Sequence, residues 1–155
     1  MSKKSAGLLV YRNARKNPEL FLVHPRGPFW KNKDEGAWSI PKGEFSEDED
    51  PLTAARREFR EETGFEVSGD FIALDPLVQK SGKVVYCYAV EGEIDAKKIR
   101  SNTFDLEWPP KSGKIVSFSE VDKGEWFEMA SALTHIHKGQ ADFLLQLESI
   151  LNASR

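Results

Sequence analysis

Residues 43–65 read GEFSEDEDPLTAARREFREETGF, and this stretch decides how the rest of the chain is understood. Asp50 is a good N-cap, Pro51 suits the first helical position and Gly64 is a stop, so a helix is predicted from about residue 51 to 63. At about 100° per residue, Glu58, Glu61 and Glu62 fall within an arc of roughly 100° on one face. Like charges at these spacings repel, each pair costing a helix roughly 0.2–0.5 kcal/mol. The acids also sit near the helix C-terminus, where the macrodipole disfavours them. A folded chain that concentrates carboxylates there is expected to hold a cation, and oxygen-only ligands suit Mg²⁺ or Mn²⁺.

On the same wheel Leu52, Ala55 and Phe59 form an apolar stripe, with Glu58 and Glu62 at its border and Ala54 beneath the acidic face. Arg56 and Arg60 point away from the acids. The carboxylates are therefore expected at the seam between helix and sheet rather than on a solvated face.

Outward from the helix, residues 8–11 and 20–23 are short apolar runs joined by a polar turn containing Pro18, a hairpin signal. Residues 24–36 read as a loop carrying Phe29 and Trp30, and residues 38–40 as a short extended piece closed by Pro41. Two strands are expected over residues 71–78 and 84–90, joined around residues 79–83. Residues 101–114 read as a long irregular segment containing Trp108-Pro109-Pro110. Residues 115–118 and 126–127 are further short extended pieces. Phe143, Leu144, Leu147, Ile150 and Leu151 recur at helical spacing. The sum is one α/β domain over residues 1–155, an α/β/α sandwich around a mixed β-sheet.

A chain of 155 residues with 39% hydrophobic and 30% charged residues is an ordinary globular composition, with no apolar run long enough to cross a bilayer. The N-terminus lacks the pattern of a signal peptide, and the single cysteine, Cys87, lies in an apolar run as a small core residue. A cytoplasmic protein without a membrane partner is expected; the oligomeric state stays open. The net charge of −3 argues against a stable nucleic-acid partner. Acids cluster at Glu44, Glu47, Asp48, Glu49 and Asp50, whereas Lys31, Lys33, Lys42, Lys80, Lys83, Lys111 and Lys114 lie in loops. That division suits a small anionic ligand bridged to carboxylates by metal.

The quoted stretch fills every position of the pattern G-x5-E-x7-R-E-U-x-E-E-x-G-U, with U a bulky apolar residue, through Gly43, Glu49, Arg57, Glu58, Phe59, Glu61, Glu62, Gly64 and Phe65. It thereby resembles the Nudix hydrolases. The resemblance implies the Nudix fold and metal-dependent hydrolysis of a nucleoside diphosphate linked to another group. It implies Glu58 and Glu62 as principal metal ligands, with the Gly43 carbonyl beside them and Glu61 as a third ligand or as the base that activates water. Arg57 and Glu49 would orient the acids. A base from outside the pattern is the alternative, with Glu107, Glu120 and Glu125 as candidates.

The context of residues 38–44, WSIPKGE, resembles the dinucleoside polyphosphate hydrolases of the family, although Glu44 stands where many of those carry His. The SNTF and WPPKSG segments resemble a bacterial group of nucleotide pyrophosphohydrolases. Candidate substrate contacts are Lys42, Lys80, Lys83 and Arg26 for phosphates, and Trp30, Phe104 and Trp108 for stacking on a base; the alternative for the aromatics is a core-capping role. His135 and His137 would diverge on a helix, so no metal site is expected from them. The leading expectation is a nucleotide pyrophosphohydrolase. Its rivals are a nucleotide-sensing module, which would be expected to have lost an acid from the pattern, and a structural cation-binding domain.

Overall fold

The computed structural model describes residues 3–25, 34–101, 103–119 and 121–153, without the side chains of 104, 118, 119 and 122. At its centre lies β1 (Lys4–Arg12), whose alternating residues face two different cores. Leu9 and Tyr11 point to one side, and Ala6, Leu8 and Val10 to the other, the period-two alternation of a strand buried on both faces. β1 pairs antiparallel with β2 (Glu19–Pro25) and with β3 (Lys42–Glu44), and parallel with β6 (Val84–Glu91). β9 (Val121–Glu128) extends the sheet beyond β2, while β4 (Ile72–Ala73) and β5 (Leu77–Val78) both pair with β6. The result is a seven-stranded mixed sheet with strand order β4-β6-β1-β2-β9, to which β3 and β5 attach.

Helix α1 (Pro51–Thr63) covers one face through Ala54, Ala55 and Phe59. Helices α2 (Met129–His135) and α3 (Ala141–Ala153) cover the other, with Phe143, Leu144 and Leu147 fully buried. The expected α/β/α sandwich is therefore the observed architecture. No helix among the described residues is long and apolar enough to cross a membrane.

Several local readings need correction. Residues 101–114 are not irregular throughout: β7 (Thr103–Glu107) and β8 (Ile115–Ser119) form a separate antiparallel hairpin. Its turn places Lys111 and Gly113 at positive φ, and its strands carry few buried side chains, so no apolar alternation announces them. The extended piece at 126–127 is the end of an eight-residue strand. The run 71–78 is broken at Asp75-Pro76 into β4 and β5, because proline offers no N–H to a ladder. Helix α2 had no expectation; its seven residues are too few for helical periodicity to register.

Because Phe143 is fully buried between α3 and the sheet, Phe143→Ala should lower unfolding stability by about 3–5 kcal/mol in urea titration. A loss below about 1 kcal/mol would mean that α3 is not part of the core.

Candidate active site

Helix α1 is framed as its sequence dictates. The Asp50 carboxylate accepts the Thr53 N–H at 3.1 Å, and Gly64, at φ 80°, donates its N–H to the Arg60 carbonyl at 2.7 Å. With the ends set and Ala55 and Phe59 packed inward, Glu58 and Glu62 are carried to the helix–sheet seam, where they are only 9% and 7% exposed. Glu61 is half-buried beside them. Burying carboxylates is costly unless they are partnered.

Partners are present. The Arg57 guanidinium meets Glu49 through two parallel bonds, Nε to Oε2 and Nη2 to Oε1, both 2.9 Å. Its remaining nitrogen, Nη1, donates to Glu58 Oε1 and Glu61 Oε1, each at 2.8 Å. Hydrogen bonds donated to Glu49, then to Glu61 and Glu58, push the guanidinium pKa up, so Arg57 is a permanent cation. In turn Arg57 holds the Glu49 carboxyl below its usual range. Glu62 is turned the other way, and its Oε1 accepts the Lys42 N–H at 3.1 Å.

Strand β3 crosses directly over these acids. Gly43 pairs with Ala6, and a Cβ built on Gly43 would lie 2.0 Å from Glu58 Oε2. Only glycine allows the backbone so close to the carboxylate. Among the described residues, no three acidic, histidine or cysteine side chains already converge as a metal-binding group. The fold instead supplies Glu58 against the Gly43 backbone, Glu61 bridged to Glu58 through Arg57, and Glu62 one turn further on.

A cleft of about 340 Å³ opens beside Glu62. Lys42, Gln79, His137 and Gln140 contribute its polar side, and Val23 and Val121 part of its apolar side. Burial, and next the charge of Lys83, pushes the Lys42 ammonium pKa down; the carboxylates of Glu62, Glu44 and Glu58 act in the opposite sense. Lys83 is itself tied to Glu44 at 3.3 Å. Of the two lysines expected at the phosphates, Lys42 lines the cleft, whereas Lys83 stands near Lys42 but outside the cleft lining.

Other expected residues lie elsewhere. Lys80 is exposed in the β5–β6 turn and does not line the cleft. Glu107 accepts the Lys111 N–H inside the hairpin turn, and Glu125 is exposed on β9, so neither lines the cleft. Arg26, Trp30 and Glu120 fall outside the described residues, as does the Phe104 side chain. Cys87 is buried, and burial pushes its thiol pKa up, which makes it a poor nucleophile. His135 and His137 do diverge: His135 Nδ1 meets the Ser131 carbonyl, whereas His137 faces the cleft. Gln79, His137 and Gln140 are cleft residues that sequence reasoning missed. The only available signal was their position in short polar segments beside a strand and a helix.

Comparison with known proteins gives the family and the fold. The family profile described as NUDIX domain matches residues 1–147. The mRNA-decapping protein g5R of African swine fever virus is 32% identical over 119 residues, covering 74% of this chain and 44% of that protein. The m7GpppN-mRNA hydrolase of Saccharomyces cerevisiae is 25% identical over 114 residues, 72% of this chain and 10% of that protein. The chain thus spans less than half the length of these curated relatives. Among solved structures, a C. elegans Ap4A hydrolase binary complex superposes with a TM-score of 0.64 at 20% identity, over 97% of this chain and 98% of that one. The NUDIX domain of Shewanella oneidensis NrtR, complexed with ADP ribose, gives 0.67 at 17% identity, over 97% and 89%. Both share the fold.

The Arg57–Glu49 pair makes a pH-dependent contribution whose sign is fixed. Glu49 has a folded pKa below its unfolded value, so its stabilisation is present above the unfolded pKa and is lost as pH falls through the folded one. Glu49→Gln should therefore melt below wild type at pH 7, with the gap closing below about pH 4; a gap independent of pH would contradict the pairing. A complete acidic pattern, a helix braced by its own arginine and a profile match over nearly the whole chain agree that this protein belongs to the Nudix family.

Proposed function

We propose that this chain hydrolyses a phosphoanhydride bond in a nucleoside diphosphate linked to a further group, with nucleoside polyphosphates and dinucleoside polyphosphates as the substrate class. One observation carries the reading. Glu58 and Glu62 are buried at the seam, Glu58 against the Gly43 backbone and Glu62 on the Lys42 N–H and in the lining of a cleft edged by Lys42.

Nudix enzymes generally use divalent metals, and the donors gathered here are of the right kind. Glu58, Glu61, Glu62 and the Gly43 backbone offer oxygen only, a set suited to Mg²⁺, with Mn²⁺ as a substitute. The close approach of Gly43 to Glu58, which no side chain could share, supports that fit. A bound divalent ion would neutralise phosphate charge and make water more acidic.

The protein's own residues supply the rest. Arg57 keeps Glu58 and Glu61 on one nitrogen, so the acids stay aimed despite their mutual repulsion. Glu61, the more exposed of the three, is the proposed base and accepts the proton of the attacking water at a carboxylate oxygen. Lys42 lines the cleft that a polyanion would enter, and burial, then the charge of Lys83, lowers its ammonium pKa, so an arriving phosphate would favour its charged form. Val23 and Val121 form part of a drier wall suited to the nucleoside half. The buried single cysteine and the acidic balance suit a cytoplasmic enzyme acting on small molecules.

A nucleotide-sensing module is the rival reading, and turnover separates the two. Mg²⁺ is added to a panel of nucleoside triphosphates, Ap4A, ADP-ribose and m7GpppG, and products are resolved by chromatography. At least one member should be cleaved, with activity abolished by EDTA and restored by Mg²⁺; binding without cleavage would favour the sensor. Glu61→Gln and Glu62→Gln should each lower turnover about a hundredfold or more while the circular dichroism spectrum stays native. Full activity in both variants would reject the assignment.

A further inference from the structure

Just past α2, the chain runs alongside residues 38–40 as a parallel bridge between Trp38 and Ile136. The Trp38 N–H donates to the His135 carbonyl at 3.0 Å, and the His137 N–H donates to the Trp38 carbonyl at 2.7 Å. In a parallel ladder the next rung would join the Ile40 N–H to the His137 carbonyl. That rung is not formed, and the Ile40 N–H goes elsewhere. Residues 138–140 coil into a 3₁₀ turn, and the Gln140 N–H donates to the His137 carbonyl at 2.9 Å.

The missing rung is supplied by a side chain. Gln140 Oε1 accepts the Ile40 N–H at 3.0 Å, across one hundred residues of sequence. Gln140 Nε2 donates to Ser39 Oγ at 3.1 Å, and Ser39 Oγ donates to the Ile40 carbonyl at 2.7 Å. Gln140 is only 2% exposed, yet it lines the cleft together with Lys42 and Glu62. A polar side chain buried so deeply and engaged at both ends of its amide is fixed in place.

What Gln140 grips leads straight to the acids. Ile40 is followed by Pro41, which has no N–H and whose carbonyl accepts the Leu8 N–H at 3.3 Å. Lys42 comes next with its N–H on Glu62, and then Gly43 against Glu58. Residues 39–43 are thus held by Val23, Gln140, Leu8 and Glu62 in turn. At Gly43 there is no room for the backbone to drift toward Glu58.

We propose that Gln140 is a positioning residue of the reaction site: its side-chain amide replaces a backbone rung to the Ile40 N–H and thereby sets where Lys42 and Gly43 meet Glu62 and Glu58. This rests on the hydrolytic reading above. Through this link the start of α3 becomes a working part of the site, acting through the 40–43 backbone without needing to touch substrate.

The test compares Gln140→Leu, which removes both bonds at similar size, with Gln140→Glu, which keeps an acceptor for Ile40. Whichever panel nucleotide the wild type cleaves best serves as substrate. Q140L should lower kcat about tenfold or more and raise the Mg²⁺ concentration for half-maximal rate, with KM within about threefold; Q140E should recover most of kcat. Independently of activity, metal-free amide exchange at Ile40 and Lys42 should quicken about tenfold or more in Q140L, while Leu9 and Leu20 stay protected. Should Q140L fail to fold, Gln140→Asn, too short to reach Ile40, is expected to give the same local exchange and kcat loss. Exchange rising evenly across the sheet, unchanged kcat in Q140L, or no recovery in Q140E would overturn the proposal. Wild type cleaving nothing in the panel would remove the hydrolytic reading itself, and this role with it, whatever the exchange data show.

Discussion

A single guanidinium keeps the acidic end of α1 in one piece. Glu49, Glu58 and Glu61 all bond to Arg57, two of them on the same nitrogen. Without that cation, three carboxylates would crowd a helix end that already disfavours negative charge. With it, Glu58 can be drawn to the seam and buried there, while Glu62 beside it is met by the Lys42 N–H. Charge-assisted, bidentate pairing is the geometry arginine offers and lysine does not.

The sheet converts this local arrangement into a site. β1 is shared between β3, which lays Gly43 over Glu58, and β6, which brings Lys83 near Lys42. Because β1 is buried on both faces, its register cannot slip by one residue without exchanging the two cores. The positions of Gly43 and Lys42 against the helix thus inherit the stability of the whole sandwich. α1 approaches from one face, while the segment between α2 and α3 approaches from the other, and the cleft beside Glu62 lies where they come together.

The outer hairpin of β7 and β8 shows the opposite behaviour. It is a two-stranded sheet separate from the main one, with Ile115 66% exposed. Its sequence carries no buried alternation, which is why residues 101–114 read as irregular. Strands embedded in the core announce themselves through apolar runs; strands paired only with each other do not.

Helix α1 was legible to the residue at its caps, since Asp50, Pro51 and Gly64 act through local geometry alone. The Nudix pattern, the apolar stripe of Leu52, Ala55 and Phe59, and the terminal helix are likewise statements about neighbours in sequence. Gln79, His137 and Gln140 were invisible for the complementary reason. Their significance comes from partners as far as one hundred residues away, and a buried glutamine bonded to Ile40 looks the same in sequence as a solvated one. By itself the chain's order of residues determined the helix, its acids and the family. Only the packing of β3 and residues 137–140 around that helix decided which side chains share the cleft, because contacts across a fold have no local signature.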